Sequence, residues 1–135
     1  MPGALEKYSC WLPRHRKSVG LARQLFGDFI AERMSGEPYL SDGELVLSEL
    51  VTNAVMHAAT PPGRLIYIQF ELSSDVLRIE VHDADPTHPT LQPAAECDEA
   101  GRGLLLVSQL STSWGCYPRE SGIGKAVWAL VGGAR

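Results

Sequence analysis

From Leu65 to Leu72 apolar and polar side chains alternate: Ile66, Ile68, Phe70 and Leu72 fall on one side, Tyr67, Gln69 and Glu71 on the other. A period of two marks a half-buried strand. Ser73-Ser74-Asp75 reads as a turn, so Val76–Asp83 is expected to return as an antiparallel hairpin partner with Leu77, Ile79 and Val81 turned to the core. Asp83 shares their parity, which directs a carboxylate inward at the strand end. Burying such a group unpaired is costly, so it calls for a donor, a ligand or water.

Elsewhere the period is helical. Val19, Ala22, Leu25, Phe26, Phe29 and Ile30 predict an amphipathic helix to about Met34, with Ser18 as its N-cap after the basic stretch Arg14–Lys17. Ser35-Gly36 ends it. A second helix is predicted over Asp42–Ala58, capped by Ser41 or Asp42, with Leu47, Leu50, Val51, Ala54, Val55 and Ala58 on its buried face. Its other face carries Glu49, Asn53 and His57 at i, i+4 and i+8, and no Lys or Arg stands between Leu45 and His57. An acid, an amide and an imidazole thus line up among apolar or small neighbours, a row that can hold a divalent cation and a base against a ligand. The same row can equally be a solvated face with a histidine at the helix C-terminus, where the dipole favours it.

Thr60-Pro61-Pro62-Gly63 cannot continue a helix and leads into the sheet. Tyr8–Leu12, Ser113–Tyr117 and Lys125–Val131 complete the strands, the last two joined by a turn over Pro118–Gly124; Trp114 and Trp128 read as core or sheet-face residues. Asp85–Ala100, with Pro86, Pro89 and Pro93, has little periodicity and reads as a mobile loop over a site. Gly101-Arg102-Gly103 follows it, and Leu104, Leu105, Val107 and Leu110 predict a helix directly afterwards. Glycines at a helix start let backbone approach a phosphate, although a lone G-x-G is more commonly a plain loop-to-helix turn. The order of elements predicts an α+β fold: a two-layer sandwich of a mainly antiparallel mixed sheet with helices on one face.

With 135 residues the chain is expected to form one domain able to bury a core without disulfides. The formal charge is −4 and no basic run stands out, which argues against direct nucleic-acid binding. Cys10, Cys97 and Cys116 are widely spaced and read as reduced thiols. Neither a signal peptide nor a membrane span is apparent, so a cytoplasmic location is expected.

The ordered set of an E-x-x-x-N helix, a strand-terminal Asp, a loop, a G-x-G before a helix and two closing strands resembles the Bergerat ATP-binding fold of gyrases, histidine kinases and mismatch-repair ATPases. Within it, SELVTNAVMHA and GRGLLLV are similar to the stand-alone anti-sigma-factor serine/threonine kinases. The resemblance implies ATP and Mg²⁺ as cofactors. Asn53 would be the metal ligand, Glu49 the general base, and Asp83 the acceptor of the adenine amino group. Gly101, Arg102, Gly103 and Leu104 would cradle the phosphates at the helix start. His57 matches a polar position at the end of the family's helix, and Lys125 is within reach of a phosphate or lies on the strand surface. Expected partners are an anti-sigma-factor antagonist as the phosphorylated protein, a sigma factor, and a second copy of the chain as a homodimer.

Two departures stand out. The family's Asp-x-Gly-x-Gly reads Asp83-Ala84-Asp85-Pro86-Thr87 here, so an acid and a threonine replace glycines that let backbone run close to a nucleotide. A threonine frequent near the last strand is matched by Ala126. These changes motivate a second reading, a non-catalytic regulator that sequesters a partner with weak or no nucleotide binding. Autonomous ATP hydrolysis, as in gyrase-like proteins with a further domain, ranks below both. A metal-dependent hydrolase built on Glu49, His57 and His82 is disfavoured because His82 has the parity opposite to Asp83.

Overall fold

The computed structural model describes residues 5–56, 65–73, 75–83, 102–119 and 124–132. In chain order these form β1 (Glu6–Pro13), α1 (Lys17–Ala31), a 3₁₀ segment (Met34–Tyr39), α2 (Leu40–Met56), β2 (Leu65–Leu72), β3 (Val76–Asp83), α3 (Arg102–Leu110), β4 (Ser113–Pro118) and β5 (Lys125–Gly132). The five strands make one sheet in the order β1-β2-β3-β5-β4. Every pairing among them is antiparallel, so the expected sandwich is present without a parallel pair among the described strands.

The alternation in β2 and β3 becomes a dry face. Ile66, Ile68, Phe70, Leu72, Leu77, Ile79 and Val81 are buried beneath the helices, and Asp83 joins them at 4% exposure. Phe70 is the centre of this core: Tyr8 stacks on it with ring centroids 5.8 Å apart, Phe26 meets it edge-on at 5.2 Å and Phe29 lies tilted at 5.6 Å. The hairpin turn closes through Ser73, whose N–H donates to the Val76 carbonyl at 3.0 Å. At the other hairpin the Arg119 N–H donates to the Gly124 carbonyl at 3.1 Å, and Gly124 takes φ of 84°, the left-handed conformation that glycine adopts without strain.

Both predicted helix starts are displaced. Ser18 does not cap α1: the helix begins at Lys17, whose N–H donates to His15 Nδ1 at 3.0 Å, while the Ser18 hydroxyl donates to the Pro13 carbonyl at 2.6 Å. Ser41 and Asp42 do not cap α2 either, because the 3₁₀ segment runs directly into Leu40 and places both inside the first turn. The helix's first donors are thus met by preceding backbone. Cys116 is disulfide-bonded, so the reduced-thiol reading holds for Cys10 and fails for Cys116.

One close approach sets the direction of α2. A Cβ on Gly43 would stand 2.6 Å from Phe26 Cζ and 2.8 Å from Leu77 Cδ2. The start of α2 therefore sits on the start of β3, and because Arg14, next to the Pro13–Leu65 pair at the far end of the sheet, bonds the Val55 carbonyl, the two elements run the same way. α3 packs along α2, and its C-terminus leads through Ser111 and Thr112 into Ser113, the partner of Leu130 at that same starting end. Its N-terminus consequently points toward the end of the sandwich where β3 finishes.

The other face of the sheet carries no described helix. One rung crosses all five strands as Trp11, Tyr67, His82, Ala126 and Tyr117. Its rings make tilted or edge contacts: Trp11 to Tyr67 at 5.0 Å, Tyr67 to His82 at 5.1 Å and His82 to Tyr117 at 6.1 Å. Beneath it, Gly115 leaves space for the Trp128 indole, which a Cβ there would meet at 2.9 Å.

The Gly43 contact predicts opposite signs for two helix glycines. Gly43→Ala should lower unfolding free energy by about 1 kcal/mol, since overpacking of ~1–3 kcal/mol outweighs the gain in helix propensity. Gly20→Ala, where nothing lies within 4 Å, should raise it by ~0.5–1 kcal/mol. Urea unfolding of the two variants beside the parent decides this, and stabilisation by Gly43→Ala contradicts the close approach.

Candidate functional site

Three expected site segments converge at one end of the sandwich: the last turns of α2, the end of β3 and the first turn of α3. Arg14, from the turn after β1, donates from Nη1 to the Val55 carbonyl at 3.1 Å and so satisfies an open carbonyl in the last turn of α2. Arg119 reaches from the end of β4 to the Asp83 carbonyl at 3.5 Å and stacks over Trp11 with its guanidinium carbon 5.9 Å from the ring centroid. Two arginines thus tie down the backbone that carries the site, one on each element. Neither was singled out by residue spacing, because each acts on a carbonyl distant in the chain.

On α2, Glu49 and Asn53 are half-buried between the core stripe and the outer face. Glu49 has no hydrogen-bond or ion-pair partner among the described residues. The Asn53 Nδ2 is fully shielded from solvent yet has no hydrogen-bond partner there. An orphaned buried N–H group costs about 1–3 kcal/mol and calls for an acceptor oxygen, not for a cation. Leu45 and Met56, 47% and 61% exposed, flank Glu49 on the outer face and give the site an apolar rim.

On β3, Asp83 is buried on the helix side as its parity predicts. Lys125 stands directly opposite it in the β3–β5 ladder and shares its face. Lys125 is therefore half-buried beside Asp83 and does not lie on the outer face of the strand. Ala126 points to the other face, where it is fully buried within the aromatic rung, so a hydroxyl there would not reach the helix layer. His82 is on that outer face too, with Nε2 2.5 Å from Glu80 Oε2, which removes it from any cluster with Glu49.

Arg102, Gly103 and Leu104 form the first turn of α3, whose backbone N–H groups open toward this end. His57, Gly101 and the segment 84–100, including the changed glycine positions, lie outside the described residues. Among those described, no group of three His, Cys, Asp or Glu side chains is placed to hold a metal. A divalent cation held by Asn53 would take its Oδ1, since Nδ2 is a donor, together with ligand phosphate oxygens.

Behind Asp83, β3 carries a polar cluster that the residue pattern did not bring out. Glu80 is 6% exposed and receives Arg78, His82 and the Tyr117 hydroxyl. Burial pushes its carboxyl up, but the hydrogen bonds from His82, Tyr117 and Arg78, with the Arg78 charge, outweigh this and hold it at about 2. Tyr117 is pushed up to about 12 by burial and by its bond to the Glu80 anion. The signal in the sequence was a cation and an imidazole two residues either side of a strand acid, all on one face.

Residues 12–130 match the family model of the histidine kinase-like ATPase domain. No curated protein matches the chain. No helix of the described residues is long and apolar enough to cross a membrane.

The Glu80 cluster predicts an acid-dependent stability term. Its carboxyl is lower in the folded chain than its ordinary 4.5, so the stabilisation is present above 4.5 and lost as pH falls through about 2. Glu80→Gln should cost on the order of 1–3 kcal/mol at neutral pH, with the difference from the parent shrinking between pH 4.5 and 2. Denaturant unfolding across that range measures it; a pH-independent difference contradicts the assignment.

Proposed function

Since the chain belongs to the histidine kinase-like ATPase domain family, we propose that it is an ATP-binding regulator acting as a protein-serine/threonine kinase on an anti-sigma-factor antagonist. The carrying observation is the buried Asp83 carboxylate at the same end of the sandwich as Asn53, whose Nδ2 donor has no acceptor among the described residues. In this reading Asp83 accepts a hydrogen bond from the exocyclic amine of adenine, a purine edge suited to a buried carboxylate. The open backbone N–H groups at Arg102, Gly103 and Leu104 receive phosphate oxygens.

Asn53 would hold Mg²⁺, whose contribution when bound is to neutralise charge on the phosphates. Glu49, one turn before Asn53 on the same face, would take the proton from the hydroxyl of the acceptor protein as that oxygen bonds to the terminal phosphorus and the bond from that phosphorus to the bridging oxygen breaks, ADP leaving with the bond's electrons. The exposed Leu45 and Met56 beside Glu49 fit a site that a protein substrate covers, excluding water from the transfer. Recognition of a sigma factor and pairing with a second copy belong to the same proposal.

A second reading, a regulator that sequesters its partner without nucleotide, draws on Asp85 and Thr87 standing where the family carries glycines. Calorimetric titration separates the two. The parent should bind ATP in a Mg²⁺-dependent way, and Asn53→Ala and Asp83→Asn should each weaken binding at least tenfold, about 1.4 kcal/mol. Unchanged affinity in Asn53→Ala would overturn the site. No heat at millimolar ATP with the parent folded selects the sequestering reading. If ATP binds, Glu49→Gln should retain the nucleotide while phosphate transfer to the antagonist falls by about 10²-fold or more, the scale of a positioned base.

A further inference from the structure

β1 is an edge strand, and no described strand lies beyond it. Eight residues pair with β2, so alternate residues aim N–H and C=O groups outward, away from the sheet. Natural edges are blunted by charge and proline, and β1 has these at its ends, in Glu6, Lys7 and Pro13. Its middle, Ser9 to Leu12, has neither. Ser9 and Trp11 are exposed and Cys10 is half-buried, so this stretch of edge is open to another chain.

Beside that edge, between β1 and α1, is a cavity of about 250 Å³ lined by Tyr8, Leu25, Asp28, Phe29, Glu32 and Arg33. It is smaller than the ~300–1,000 Å³ usual for small-molecule and cofactor sites, a size that suits one bulky side chain. Its floor is apolar: Phe29 is 3% exposed, with Tyr8 and Leu25 half-buried beside it. Its rim is anionic. Asp28 and Glu32 are exposed, one helical turn apart, and have no side-chain partner among the described residues. Arg33 does not neutralise them, because it is committed to Glu6 at 3.2 Å, to the Phe29 carbonyl at 2.6 Å and to the Phe29 ring at 3.9 Å. The Tyr8 phenol is held above its ordinary value first by its hydrogen bond with the Cys10 thiol and then by burial, with the Cys10 and Asp28 charges adding to this. Asp28 lines the cavity together with Tyr8 and Phe29.

We infer that the β1 edge and this cavity together bind an extended peptide segment of a partner protein, carrying a bulky apolar residue with a Lys or Arg two positions away. The peptide adds a strand to the sheet, so its main chain supplies affinity and its side chains on the helix-facing side supply selectivity. On that side residues recur every ~7 Å, which sets a basic group over the carboxylates of Asp28 and Glu32 when the apolar residue fills the cavity. The chain's overall charge of −4 favours approach of such a segment. This surface lies along β1 and α1 and is independent of nucleotide.

The test uses the full chain and an acetylated, amidated peptide, Thr-Lys-Thr-Phe-Thr-Lys-Thr, followed by amide chemical shifts and hydrogen exchange. Shifts and new protection centred on Ser9 to Leu12, with sub-millimolar affinity, are expected. Exchanging both peptide lysines for glutamate should weaken binding at least fivefold, as should Asp28→Asn with Glu32→Gln in the protein, two exposed changes that leave the core untouched. Leu25→Trp, which fills the cavity, should weaken the Phe peptide more than one with Ala in place of Phe. Equal binding of the glutamate peptide, or shifts away from β1 at millimolar peptide, overturns the inference. So does protection of β1 that grows with protein concentration alone, which would assign the edge to a second copy.

Discussion

β3 is the middle strand of five, and both of its faces are occupied. Leu77, Ile79, Val81 and Asp83 face the helices, while Arg78, Glu80 and His82 face the open side. A slip of one residue would exchange the two sets, burying an ion cluster in the core and turning the site aspartate outward. The register is therefore held from two directions. Apolar contacts around Phe70 hold it from within, and the Glu80 bonds to Arg78, His82 and Tyr117 hold it from without. Breaking the outer set leaves a carboxylate shielded from water with fewer donors, the costly way to lose a buried ion pair.

The helix layer inherits its direction from that strand. Because Gly43 lacks a side chain, α2 lies close against Phe26 and Leu77 and runs in the sense of β3. Asn53 then finishes near the level of Asp83, and the short Ser111-Thr112 link turns the start of α3 the same way. Convergence of three segments distant in the chain thus follows from one helix–strand contact and one tight connection. The two arginines that hold the Val55 and Asp83 carbonyls fix the result.

Strand interiors were readable in the chain to the residue, as with Leu65–Leu72 and Val76–Asp83, because a period of two with one dry face leaves a single solution. The inward turn of Asp83 came from the same parity. Helix ends were less readable. Ser18, Ser41 and Asp42 are good capping residues, but His15 and a 3₁₀ segment supplied those functions, and competition between local hydrogen bonds is not encoded in residue type alone. Lys125 was ambiguous until its partner strand was known, since cross-strand neighbours depend on register rather than on spacing. Glu80 was invisible for the opposite reason: an acid on the nominally solvent side of a strand is ordinary until a tyrosine from another strand closes over it.

The strand order also bears on how the chain assembles. β2 and β3 are joined by a tight turn at Ser73, and a hairpin of this kind forms in ~1–10 μs. Zipping starts at that turn and ends where Tyr67 meets His82, so Asp83 lies just beyond the last pair of the hairpin. Its ladder partner, Lys125, is separated from it by roughly forty residues of chain, a closure cost that grows only logarithmically and adds ~0.6 kcal/mol per doubling of length. Insertions or deletions between β3 and β5 therefore burden the finished ladder little, while delaying the moment at which it forms. The end of the sheet that bears the aspartate is the part the chain completes latest, and the part least sensitive to how much sequence evolution places in between.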